Sequence, residues 1–208
     1  MSDAVMLKKS LLKPIEYPHL VRLGTKGDGG YVIPEDQIAS CKLLVSLGLS
    51  DNFDFDKEFA AKNPAVRVIG VDHTIGSWWF SRRILIYIWK IFMYAVIFNA
   101  RKKRKYIERL RTYLDYFSFF KAPNVHLKRR VASVSNKLDI SLGKILEQSA
   151  AHLSLKSENA HEGSDVLTIK SESHFLHDVF LKMDIEGAEY EIAEDIATHH
   201  ERIRCIAG

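Results

Sequence analysis

Three short apolar runs most constrain what this chain can fold into, because each has strand length and each ends on a glycine or a carboxylate. They are CKLLVSLGL (41–49), VRVIGVD (66–72) and DVFLKMD (178–184). Runs that are apolar throughout, rather than at alternate positions, read as strands covered on both faces, as parallel sheets require. Between the first two lies DNFDFDKEFAAKN (51–63). It reads as a helix capped by Ser50 or Asp51, with acids in its first turn where the dipole favours them and Pro64 as its stop. Farther along, ISLGKILEQSAAHL (140–153) and YEIAEDIATHHE (190–201) suit helices, and NVHLKRRVAS (124–133) and RIRCIAG (202–208) suit strands. Residues 157–165 read as an exposed loop. The alternation predicts an α/β fold in one domain, with a mostly parallel sheet and helices on both faces.

Ligands of such sheets sit at the carboxyl ends of the strands. Gly48, Asp72, Asp184 and Glu186 all fall at strand ends and are expected on one rim. Carboxylates are costly to bury without partners. The strand that runs into Asp184-Ile185-Glu186-Gly187 is therefore expected to open onto a site. A plainer reading makes these acids caps of the following helix.

The Gly48 loop separates two cofactor classes. A dinucleotide pyrophosphate favours G-x-G-x-x-G, where backbone amides and a helix N-terminus meet negative charge. Here the loop reads Gly48-Leu49-Ser50-Asp51-Asn52-Phe53, with one glycine and an acid, and Asp54 follows. Asp51 and Asp54 would repel a pyrophosphate, which disfavours a nucleotide-dependent oxidoreductase. S-adenosylmethionine has no phosphate and carries a sulfonium and an amino group, so carboxylates favour it. Asp72 follows Gly48 by 24 residues, near the offset of about 20 for an acid on ribose hydroxyls.

Charge is unevenly placed. The net charge is +4, yet residues 81–130 hold 14 Lys and Arg against Glu108 and Asp115, a local +12 that leaves −8 elsewhere. That argues against general nucleic-acid binding and for one surface that meets an anionic partner. The insert, at about 75–122, contains SWWFSRRILIYIWKIFMYAVIFNARKKRK. Its residues 84–98 are apolar except Lys90. As a helix they would reach only ~22 Å, short of the ~30 Å hydrocarbon core. Peripheral contact with anionic lipid through 78–105 is one reading, with Trp78, Trp79 and Trp89 at headgroup depth. Packing over the domain is another, and pairing with YIERLRTYLDYFSFF (106–120) as a lid or dimer face is a third. Cys41 and Cys205 match no metal spacing, and reduced thiols in the cytoplasm are the default expectation.

Taken together, LVSLGLSDNFDFDKEF, RVIGVDHT, FLKMDIEGAEYEI and the earlier GDGGYVIP (27–34) resemble the FkbM-type S-adenosylmethionine-dependent methyltransferases. The resemblance covers most of residues 22–80 and 124–196. It implies a Rossmann-like methyltransferase sheet that methylates hydroxyls of sugars, glycans or other natural products. Gly48, Ser50 and Asp51 would line the cofactor's amino-acid end, Asp72 would take the ribose beside His73, and Asp184 would sit beside the reacting centre. The chain departs from the usual loop in having Ser46 before a single glycine. Asp184, Glu186 and His73 are candidates for general base, and Asp184 and Glu186 would be the oxygen ligands if a divalent metal took part; nothing in the sequence demands one. Because a last strand at 202–208 would leave an open sheet edge, further strands are expected beyond Gly208. The rival reading is a non-catalytic methyltransferase-like protein that binds a membrane or a partner.

Overall fold

The computed structural model describes residues 16–26, 29–149, 178–185 and 187–208. In chain order its elements are β1 (Leu20–Leu23), β2 (Tyr31–Pro34), α1 (Glu35–Ala39), β3 (Leu43–Leu47), α2 (Asp54–Lys62) and β4 (Arg67–Val71). Then come α3 (Ser77–Val96), α4 (Ala100–Phe119), β5 (Val125–Leu127), β6 (Arg130–Val131), β7 (Asp139–Ile140) and α5 (142–149). The chain closes with β8 (Val179–Met183), α6 (Ala193–Thr198), a 3₁₀ turn (His200–Arg202) and β9 (Ile203–Ala207).

Five strands form a parallel sheet in the order β5-β4-β3-β8-β9. From β3 the chain builds outward through β4 to β5, then returns to place β8 against the other side of β3. The direction of winding thus reverses between β3 and β8.

Alternation along the strands sends successive residues to opposite faces. Leu43, Val45, Leu47, Val179 and Leu181 pack with Leu142, Ile145 and Leu146 of α5 and with Ile192. On the other face Leu44, Val68 and Phe180 meet Phe55 and Phe59 of α2, and Leu23 and Ile33 of the β1–β2 hairpin. Phe59 and Phe180 meet edge to face at 5.0 Å between centroids, and burying each such ring contributes about 1.5–3 kcal/mol. Both faces are apolar, which is why these strands lack the alternation of a half-exposed sheet.

A buried ion pair interrupts this core. Lys182 is 1% exposed, and its ammonium lies 3.8 Å from the Asp56 carboxylate, which is fully buried. The rings of Tyr31 and Phe55 each stand 5.9 Å from the same ammonium. Burial pushes the Asp56 carboxyl up, against the pull of Lys182.

Several boundaries differ from expectation. Helix α2 begins at Asp54 and not at Asp51; its N-cap is Phe53, and Asn52 Oδ1 accepts from Asp54 N–H in place of a Ser50 or Asp51 cap. The strand expected at 124–133 is not continuous, because a turn with Arg129 N–H donating to Leu127 O ends β5 and frees Arg130 and Val131 to pair with β7. The helix expected at 190–201 is shortened to α6, since 187–192 form turns. The far end of the helix expected at 140–153 and the loop at 157–165 lie outside the described residues. Of GDGGYVIP, Tyr31–Pro34 are β2, Gly29 takes a φ of 78° against Asn52, and residues 27 and 28 lie outside the described residues.

The insert is an antiparallel helical arm. Phe80 of α3 stacks on Tyr116 of α4 at 3.9 Å, Tyr87 on Tyr113 at 5.2 Å, and Tyr94 on Tyr106 at 5.4 Å. Helix α3 starts at Ser77, so it is longer than the apolar stretch 84–98 and includes Arg82 and Arg83. The base of the arm is anchored where Phe120 covers Gly70 on the sheet and Tyr113 O–H donates to Asp51 Oδ2 at 3.0 Å. The thirteen residues of α4 before Tyr113 carry the arm roughly 20 Å past that contact at ~1.5 Å per residue. Among the described residues no helix is long and apolar enough to cross a membrane.

Candidate functional site

At the point where the winding reverses, the carboxyl ends of β3, β4 and β8 surround a cleft of about 440 Å³. Its lining includes Gly48, Ser50, Asp72, His73, Thr74, Arg129, Arg130 and Asp184. A switch point leaves a crevice because the connections from adjacent strands depart toward opposite faces.

Backbone geometry explains Gly48. Its φ is 77°, a conformation that side chains disfavour, and an added Cβ would collide with the Asp184 carbonyl oxygen. Gly48 N–H donates to Val71 O at 3.0 Å and Asp184 N–H to Leu47 O at 2.9 Å, so three strand ends are tied together here. The next turn holds Ser50 at φ 53°.

Asp72 is the most constrained carboxylate of the cleft, only 9% exposed. Its Oδ2 accepts from Ser50 N–H at 2.8 Å, and its Oδ1 accepts from both the N–H and the hydroxyl of Thr74 at 2.6 Å. Burial alone would raise its pKa. The hydrogen bonds from Thr74, and from the Ser50 amide, outweigh burial and hold the carboxyl below its ordinary range. A carboxylate oxygen has two acceptor sites, and Ser50 N–H occupies one of those on Oδ2. Asp72 thus does two things: it staples the glycine loop to β4 and it presents fixed negative charge.

Behind it stands His126. Its Nε2 faces the Asp72 carbonyl oxygen at 3.2 Å, and its Nδ1 faces the Tyr116 hydroxyl. A carbonyl only accepts, so Nε2 carries the proton and, in the neutral ring, Nδ1 accepts from Tyr116 O–H. Burial pushes this imidazole down from its ordinary pKa, which favours that neutral form.

Of the residues nominated from sequence, Gly48, Ser50, Asp72, His73 and Asp184 come together, with His73 and Asp184 exposed at the mouth. Asp51 is not in the lining; its carboxylate is held by Tyr113 of the arm. Glu186 lies outside the described residues. Thr74, Arg129 and Arg130 were missed. An Asp two residues before a Thr is an Asx-turn signal that could have found Thr74. Both arginines fall within the strand expected at 124–133; Arg129 instead lies in the bend after β5, while Arg130 is in a strand, as the first residue of β6. Arg130 also pairs with Asp139 at 2.9 Å. Among the described residues no group of three or more His, Cys, Asp or Glu is placed to hold a metal. Cys41 lies in the core, where burial pushes its thiol up to about 11.

Compared with known proteins, the chain matches no family model, no curated protein and no solved structure.

Proposed function

We propose that this chain is an S-adenosylmethionine-dependent O-methyltransferase acting on a hydroxyl of a sugar, glycan or lipid-linked acceptor. One observation carries the reading: the switch-point cleft presents a pinned, ionised Asp72 beside a loop with a single glycine. The same loop lacks the glycine run that brings backbone amides against a pyrophosphate. A cationic cofactor with a ribose diol and no phosphate suits those groups.

When bound, the cofactor would supply an electrophilic methyl group. Asp72 would accept from a ribose hydroxyl through Oδ2. Ser50 and Gly48 would border the amino-acid end, and Arg129 offers a cation for that end's carboxylate. Asp184, at the mouth, is the candidate base that takes the proton of the acceptor hydroxyl. Such proton transfer contributes typically 10²–10⁴-fold, and alignment of the reacting atoms contributes more.

Calorimetric titration of the 208-residue chain with S-adenosylmethionine tests the reading, with NAD as the competing ligand. Binding that weakens about 10–100-fold in Asp72→Asn, the size of a lost charge-assisted hydrogen bond, supports it. No binding by the folded wild-type chain, or a preference for NAD, overturns it.

A further inference from the structure

We infer that the α3–α4 arm is a docking device for an anionic phospholipid surface, on which α3 lies flat with its outer stripe in the interface. Trp78, Leu85, Trp89, Phe92 and Val96 recur at spacings of seven, four, three and four, so they share one face of α3. All five are exposed, Trp89 at 61% and Phe92 at 64%. The opposite face, through Phe80 and Tyr87, is the one packed on α4. The stripe continues into the tip, where Phe98 is 93% exposed and takes a φ of 55°. A bulky aromatic held in solvent in a left-handed conformation is costly twice over.

Charge identifies the occupant. Residues 77–107 contain eight Lys and Arg and no Asp or Glu. Five of the eight are the run Arg101 to Lys105, which begins directly behind the apolar tip. Arg82 and Arg83 stand over the rings of Trp78 and Trp79, at 5.8 and 4.8 Å, at the end of α3 nearest the cleft. Cations thus bracket the apolar stripe at both ends. A second copy of this chain would bring the same cations together across the interface and meet their repulsion. An anionic lipid surface meets them with complementary charge and takes the aromatic rings at headgroup depth. Because α3 leaves the sheet four residues after His73, an arm lying on the membrane holds the mouth of the cleft close to the surface.

All three tryptophans of the chain, Trp78, Trp79 and Trp89, lie in α3, so intrinsic fluorescence reports on the arm. The wild-type chain is expected to co-sediment with phosphatidylserine-containing vesicles and not with pure phosphatidylcholine. Its emission should shift to the blue and be quenched by brominated acyl chains, and raising the salt should release it. Replacing two cations, Arg101→Gln with Lys105→Gln, should weaken partitioning about 30-fold at roughly a fivefold loss per charge. Trp89→Ser with Phe92→Ser should weaken it on the order of 100-fold, with circular dichroism confirming the fold. Equal affinity for neutral and anionic vesicles would overturn the inference, as would full binding by both variants. So would a stable dimer in which the tryptophans remain shielded when vesicles are added.

Discussion

In the sheet, Lys182 has been taken into the interior and given a carboxylate and two aromatic rings; on the arm, Trp89 and Phe92 have been left in solvent. By residue type the two should be exchanged. The difference shows that location follows the available partner surface and not hydrophobicity alone. Lys182 lies on β8 between Phe180 and the rim, and α2 delivers Asp56 to it. Among the described residues helix α3 packs mainly on α4, through the face bearing Phe80 and Tyr87, with Leu49 and Phe53 of the body joining at its base. The contrast divides the molecule into an α/β body covered on both faces of its sheet and an arm whose outer α3 stripe is exposed.

The sharpest way to break that contrast is Lys182→Met. Removing one partner leaves Asp56 buried without its cation, and should cost about 3–5 kcal/mol in urea denaturation followed by circular dichroism. Pairing it with Asp56→Leu should recover most of the loss, since an apolar pair of similar volume is often neutral or better. Failure to recover would mean that the pair, and not the burial of one charge, holds the body together.

A smaller effect concerns pH. The folded pKa of His126 lies below its unfolded value, so the unfolded chain takes up the proton first. Stability is therefore complete above the ordinary histidine range and is lost as pH falls from there toward the folded pKa. The slope should approach ~1.4 kcal/mol per pH unit at most, and Lys128 adds to the depression. Asp72 acts lower: its folded pKa is also depressed, so its contribution is present above the unfolded carboxylate value and disappears as pH falls through the folded one. Thermal denaturation across pH should show both declines, and His126→Asn should remove the upper one alone.

The smallest effect should come from the arm. Trp89→Ser with Phe92→Ser should change folding stability by no more than about 0.5 kcal/mol, the usual limit for surface positions. A loss of several kcal/mol in the same denaturation experiment would mean that the stripe is covered within the protein.

Much of the body was legible because its signals are local. LLVSL, RVIGV and VFLKM are apolar on both sides, Pro64 stops α2, and the chain order of Gly48, Asp72 and Asp184 at strand ends places them on one rim once the strands are parallel. The readings that failed depended on competition among neighbours. Asp51 has the composition of a cap, yet Tyr113, 62 residues away, takes its carboxylate, and Asn52 serves the helix instead. NVHLKRRVAS looks continuous, but pairing with β7 draws Arg130 and Val131 away from the sheet.

By itself, then, the sequence determined the strands, the acids at their ends and a basic aromatic insert, because periodicity and composition act over a few residues. Only the tertiary structure decided that the Ser50 amide reaches Asp72, that Lys182 finds Asp56, and that α3 turns Phe80 inward and Trp89 outward. Each of those outcomes depends on which distant surface arrives alongside, and hydrogen bonding and burial are settled only once it does.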